Sequence, residues 1–154
     1  MKQIEKKLNE IAAKFESKPT VVINGKFNYN FETNTISVKL EIDDNMRLFA
    51  EWFTQNFYLP SDFEQTIFII NFLHEIGHAE MWDLTKDHEN YNPALRAWYR
   101  EFEHLLNSEQ SVEIYTSLFE EKIANAWTAD YINEDWEIIN QWSNELENIY
   151  FANS

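Results

Sequence analysis

Cysteine is absent from the 154 residues. That excludes disulfides and Cys-ligated metal, so any metal must be held by His and carboxylates. Only two glycines and three prolines occur, a scarcity of turn-formers that favours a mostly helical chain. Positive charge is in deficit: 12 Lys and Arg stand against 27 Asp and Glu, for a formal net charge of -15. Direct contact with nucleic acid is disfavoured, because like charges repel and no basic cluster offsets the excess. A basic partner would suit the surplus, though a solvated acidic surface is the plainer and preferred reading. Long apolar runs are missing too. The longest, Ile67 to Ile70, is far short of the roughly 20 residues needed to span a bilayer. Met1 to Phe15 carries Lys2, Glu5, Lys6, Lys7 and Glu10, unlike the apolar centre of a signal peptide. A cytoplasmic location, away from membranes, is the expectation.

What is abundant is aromatic and apolar side chain, 16% and 44% of the residues. This is enough for the core of one domain over 1–154 and argues against a disordered chain. Ile4, Leu8, Ile11, Ala12 and Phe15 recur at helical spacing, predicting a helix over Lys2–Ser17 that Pro19 closes. Thr20–Ile23, Phe27–Phe31 and Ile36–Ile42 alternate or are β-branched, and Asn24-Gly25 and Thr33-Asn34 separate them. A three-stranded antiparallel meander is predicted, with Asn24-Gly25 as a type I′ hairpin turn. Helices are expected over Met46–Phe57, from Ser61 or Asp62 to Trp82, and at about Pro93–Leu106, Ser108–Tyr131 and Asn133–Ile149, the last capped by Asn133. The fold class is therefore α+β: a small, mostly helical domain with an N-terminal helix and a meander ahead of the central helix.

That central helix carries His74-Glu75-Ile76-Gly77-His78, an H-E-x-x-H pattern. With four His in the chain, chance placement gives about 0.01 such patterns, so composition does not account for it. Residues i and i+4 share a helix face, so two imidazoles can grip one Zn2+ while Glu75 takes a proton from a water activated by the ion. The plainer alternative is a pair of satisfied helix histidines. Gly77 costs a helix about 1 kcal/mol relative to alanine, and its place between the histidines suggests backbone crowding there.

Two histidines leave zinc short of a third protein ligand. A metzincin would need Gly at position 81 and His at 84, where this chain has Met81 and Leu84. Downstream, Glu121, Ala124 and Asn125 form E-x-x-A-N on a helix, with Trp127 behind. Glu121 would be the third ligand, Ala124 would keep the helix crossing close, and Asn125 would accept Nδ1–H from a ligating histidine and fix its tautomer. Glu120, Glu80, Asp83, His88 and His104 remain alternatives to Glu121, which is otherwise a solvated helix carboxylate, as Asn125 is otherwise an exposed amide. Tyr91, Tyr99, Tyr115, Tyr131, His88 and His104 are candidates to stabilise a reaction oxyanion, and spacing does not choose among them.

The two motifs together resemble the glutamate zincins (gluzincins). More narrowly, H-E-x-G-H followed by E-x-x-A-N-x-W resembles the ImmA/IrrE-type metallopeptidases of bacteria and mobile elements. The resemblance spans Phe72–Met81 and Glu121–Trp127. It departs from the family pattern at Ile123, often Glu there, at Thr128, often Ala, and over Tyr131–Asp135, usually apolar. It implies a zincin-like fold and a zinc-dependent endopeptidase acting on a protein or peptide, such as a repressor-like regulator. The site would comprise His74, His78 and Glu121 on zinc, Glu75 as general base then acid, and Asn125 behind the ligands. Two other expectations stand beside it: an acidic protein-interaction module on a zincin scaffold without peptidase activity, and a helical domain without metal.

Overall fold

A computed structural model describes residues 2–57, 63–86 and 119–152, which form five helices and a three-stranded sheet in a mostly helical α+β arrangement. The first helix, α1 (Lys2–Ala12), buries Ile4, Leu8, Ile11 and Ala12, the stripe its spacing requires. It stops at Ala12 rather than Ser17. The Lys14 and Phe15 N–H groups turn back to the carbonyls of Ile11 and Ala12, tightening the exit into i→i+3 bonds. The Glu80 carboxylate accepts the N–H groups of Glu16 and Ser17 at 3.2 and 3.0 Å, and these donors are thereby lost to a longer helix.

The sheet corrects the expected meander. Strands β1 (Thr20–Ile23), β2 (Asn28–Asn30) and β3 (Thr35–Val38) stand in the order β1-β3-β2, with β1 parallel and β2 antiparallel to β3. Asn24-Gly25 makes no type I′ hairpin: Gly25 has φ 82° but Asn24 does not enter the positive-φ region, and that turn needs both. Instead the Asn24 and Gly25 N–H groups both donate to the Val38 carbonyl, and Asn24 Nδ2 donates to Ser37 Oγ at 2.8 Å. These bonds hold the end of β1 against β3. The second turn is as expected, with Asn34 at φ 49° linking β2 and β3. Burial explains the order: Ile36, Ser37 and Val38 are all buried, so β3 takes the centre, where both edges are paired. Phe27 and Phe31 fall outside β2, and their rings pack on Phe68 and Trp82 at 5.6 and 4.7 Å. Leu40 and Ile42, expected in the third strand, lie in the link beyond it.

Helix α2 (Asp44–Phe57) begins beside Asp43, whose Oδ1 accepts the Met46 N–H at 2.9 Å, an N-cap that satisfies an otherwise orphaned donor. Helix α3 (Phe63–Thr85) holds the centre, burying Ile67, Ile69, Ile70, Phe72, Leu73, Ile76 and Ala79. Asn71 ties it to α2 by donating to the Met46 carbonyl at 3.2 Å. Helices α4 (Phe119–Glu134) and α5 (Trp136–Ala152) break at Asp135, three residues later than expected. Asn133 is therefore inside α4 and caps nothing, while the Asp135 carbonyl accepts the first α5 bond from Ile139. The helix expected over 93–106, and the part of the next one before residue 119, lie outside the described residues. No helix among the described residues is long and apolar enough to cross a membrane.

Candidate metal centre

Helix α3 packs most extensively against α4, and that crossing builds the site. Its closeness has a visible cause in Gly77. A Cβ there would meet the Ala124 carbonyl oxygen at 2.8 Å, Thr128 Oγ1 at 3.0 Å and Trp127 Cε3 at 3.2 Å. The crowding expected at Gly77 is therefore the backbone of α4. Ala124 is fully buried at the crossing. Thr128, where the resembled family often has Ala, places its hydroxyl 2.8 Å from the Ala124 carbonyl and 3.2 Å from the Leu73 carbonyl of α3. A polar side chain thus sits at the contact without being left unbonded.

With the backbones this close, Glu121 reaches the α3 histidines. His74 Nε2 lies 2.6 Å from Glu121 Oε2, and His78 Nε2 lies 3.0 Å from Oε1 and 3.2 Å from Oε2. The two Nε2 atoms are 3.1 Å apart. His74 and Glu121 are buried and His78 is partly so. Among the described residues these three form the group whose donor atoms converge closely enough to hold a metal ion.

The hydrogen-bond pattern calls for positive charge at that point, either a proton on the histidines or a metal ion. His74 Nδ1 is 2.8 Å from Asn125 Oδ1, an acceptor, so Nδ1 carries the hydrogen. A neutral His74 then presents the Nε2 lone pair. A lone pair facing a carboxylate oxygen at 2.6 Å repels it unless a proton or a metal ion lies between. Glu121 Oε1 is buried and makes no hydrogen bond of acceptable geometry, although His78 Nε2 is near. Such an oxygen costs about 1–3 kcal/mol or more if left unsatisfied. Two imidazoles and one carboxylate are a zinc donor set with a fourth position to spare. Ligand atoms about 2.0–2.1 Å from a tetrahedral ion lie roughly 3.4 Å apart, so small side-chain rotations would open the trio enough to hold one.

Electrostatics separate the two glutamates. Burial alone would raise the Glu121 carboxyl, but His78 and His74 beside it hold it well below the usual carboxylate range. Glu75 is buried one residue from His74, and desolvation pushes its carboxyl up against the opposing pull of His74 and His78, with Glu121 adding to the rise. One carboxylate is set to stay ionised and the other to accept a proton, the division that acid–base work requires.

The remaining candidates are placed elsewhere. Glu80 is occupied by the Glu16 and Ser17 N–H groups, and Asp83 pairs with Lys86 at 3.0 Å. Tyr131 stacks on Trp127 and Trp142, with Phe15 against it, and its charged neighbours are Asp135 and Glu80 rather than the His–Glu trio. His88, His104, Tyr91, Tyr99 and Tyr115 lie outside the described residues, as does the side chain of Glu120. One contributor carried no distinguishing signal in the sequence. Phe49 of α2 sets its ring edge-on to the His74 imidazole, 4.9 Å between centroids, yet in the chain it is one apolar residue on an apolar helix face.

No known family profile, curated protein or solved structure matches the chain.

Proposed function

We propose that this chain is a zinc-dependent endopeptidase on a zincin-like scaffold. The observation that carries the proposal is the convergence of His74 Nε2, His78 Nε2 and the Glu121 carboxylate in a buried crossing. Glu75 lies next to them with a carboxyl that burial pushes up. When bound there, zinc would supply Lewis-acid polarisation of the scissile carbonyl and a lowered pKa for water. The chain's own part is orientation and proton movement. Asn125 holds the His74 tautomer through Nδ1, and Phe49 packs against that ring. Glu75 takes the proton of the attacking water and returns it to the leaving amine, as a general base and then a general acid.

An extended peptide can be gripped by strand addition. The outer edge of β1 is closed, because Asn9 bonds both the N–H and the carbonyl of Val21 and Glu5 accepts the Ile23 N–H. Among the described strands β2 is the other edge, where a protein substrate would add, and α3 packs beside it. A regulatory protein of the repressor type is the substrate class favoured by the resemblance. The excess of 27 acidic over 12 basic residues supports the second reading, an acidic interaction module on the same scaffold.

Metal analysis of the purified protein tests the proposal. Stoichiometric zinc in the wild type, lost in Glu121→Ala, is expected. Retention of zinc by that variant would remove Glu121 from the site. Glu75→Gln is expected to keep zinc and abolish cleavage of a protein substrate. Zinc binding with no peptide cleavage in the wild type would shift the conclusion to the interaction module.

A further inference from the structure

A cavity lies apart from the His–Glu trio, between α1, the link following β3, α3 and α5. Its volume is about 460 Å³, within the range of small-molecule sites. The floor is apolar and closed: Ile4, Ile69 and Leu146 line it and are all buried. The mouth is also apolar but open, with Ile42 37% and Tyr150 47% exposed. Two carboxylates also line it, Glu41 from the link and Glu147 from α5, and no Lys or Arg is among the lining residues.

From this lining we infer a binding site for a small organic cation with an apolar body, such as an arylalkyl ammonium ion. The body would cover the Ile4–Ile69–Leu146 floor, where burial of apolar surface supplies the affinity. The charge would rest with the Glu41 and Glu147 carboxylates that line the cavity. Lys7 is bonded to Glu145, and Lys39, though within electrostatic reach of Glu41, is bonded to Asp43 at 2.8 Å. A second copy of this chain is a poor occupant, since docking would set acidic mouths of two strongly negative molecules against each other. An anionic ligand meets the same repulsion. The site is independent of the metal reading, because none of its lining residues belongs to the trio or to Glu75 and Asn125.

Calorimetric titration of the full chain tests it with three matched compounds: phenylbutylammonium, the neutral phenylbutanol and the anionic phenylbutyrate. The cation is expected to bind tightest, about fivefold over the alcohol from two exposed charge contacts, with the acid weakest. In the Glu41→Gln/Glu147→Gln double variant, the cation should lose that advantage and match the alcohol. Ile42→Trp, which fills the mouth from an exposed position, should weaken cation and alcohol alike by about tenfold, a loss equivalent to most of an apolar contact. Unchanged circular dichroism and thermal unfolding would show both variants to be folded. The inference is overturned if no compound binds saturably, if cation and alcohol bind the wild type equally, or if either variant leaves binding as it was. Self-association that Ile42→Trp removes would overturn it in favour of a second copy.

Discussion

His74 Nδ1 and Asn125 Oδ1 are 2.8 Å apart across the α3–α4 crossing, and this contact determines which nitrogen of His74 faces Glu121. Removing the amide frees the ring to rotate or change tautomer. Asn125→Ala should therefore lower zinc affinity by about 10- to 100-fold, the usual cost of losing a partner behind a metal-binding histidine. Competition with a chelator of known affinity reads this out. An affinity equal to wild type would mean the tautomer is set by some other contact.

Gly77→Ala sets two effects against each other. Alanine gains about 1 kcal/mol of helix propensity, but its Cβ would lie 2.8 Å from the Ala124 carbonyl oxygen, a backbone atom that moves only with α4. Overpacking of this kind costs about 1–3 kcal/mol, so a net loss of stability is expected in urea denaturation, together with weaker metal binding as α4 is pushed away. A variant as stable as the wild type would show that the crossing can open without cost.

Glu75 carries a raised carboxyl in the folded protein, so ionising it opposes folding. The contribution of this group is least unfavourable below the ordinary carboxylate range. It worsens as pH rises from there through the folded value, then stays constant. In metal-free protein, Glu75→Gln should match the wild type in acid and be the more stable of the two at neutral pH. Denaturation curves across that range check the trend, and a wild type that gains on the variant as pH rises would contradict it.

Asp43 behaves with the opposite sign. Burial works to raise its carboxyl, but the Lys39 ammonium and the Met46 N–H outweigh it and hold it below the usual range. Its stabilisation is present above the ordinary carboxylate pKa of about 3.9 and is lost as pH falls through the lowered folded value. At neutral pH, Asp43→Ala should cost about 1 kcal/mol through loss of the α2 cap, and Asp43→Asn much less, because Asn caps nearly as well. Equal losses in thermal denaturation would assign the effect to Lys39 instead.

The sequence by itself determined what depends on local geometry. Helical spacing placed Ile4, Leu8 and Ile11 on one face of α1 and His74 and His78 on one face of α3, because the helix repeat is a property of neighbouring residues. The turn at Asn34 and the crowding at Gly77 were legible for a similar reason: each residue answers a backbone demand at its own position. Alternation marked Tyr29 as the more buried side chain of β2 but not the burial of Ser37 in β3, and it carries no record of which strand lies beside which. The tertiary structure decided that, setting β3 between β1 and β2 because its Ile36, Ser37 and Val38 are all buried. It also separated carboxylates that the chain leaves similar. Glu80 is only two residues past His78 on the same helix, yet it is held by the Glu16 and Ser17 amides. Glu121, far along the chain, is brought within 2.6 Å of His74 by the close approach of two helices at Gly77 and Ala124. Packing at a distance in sequence is what assembles the trio, and only the folded chain contains it.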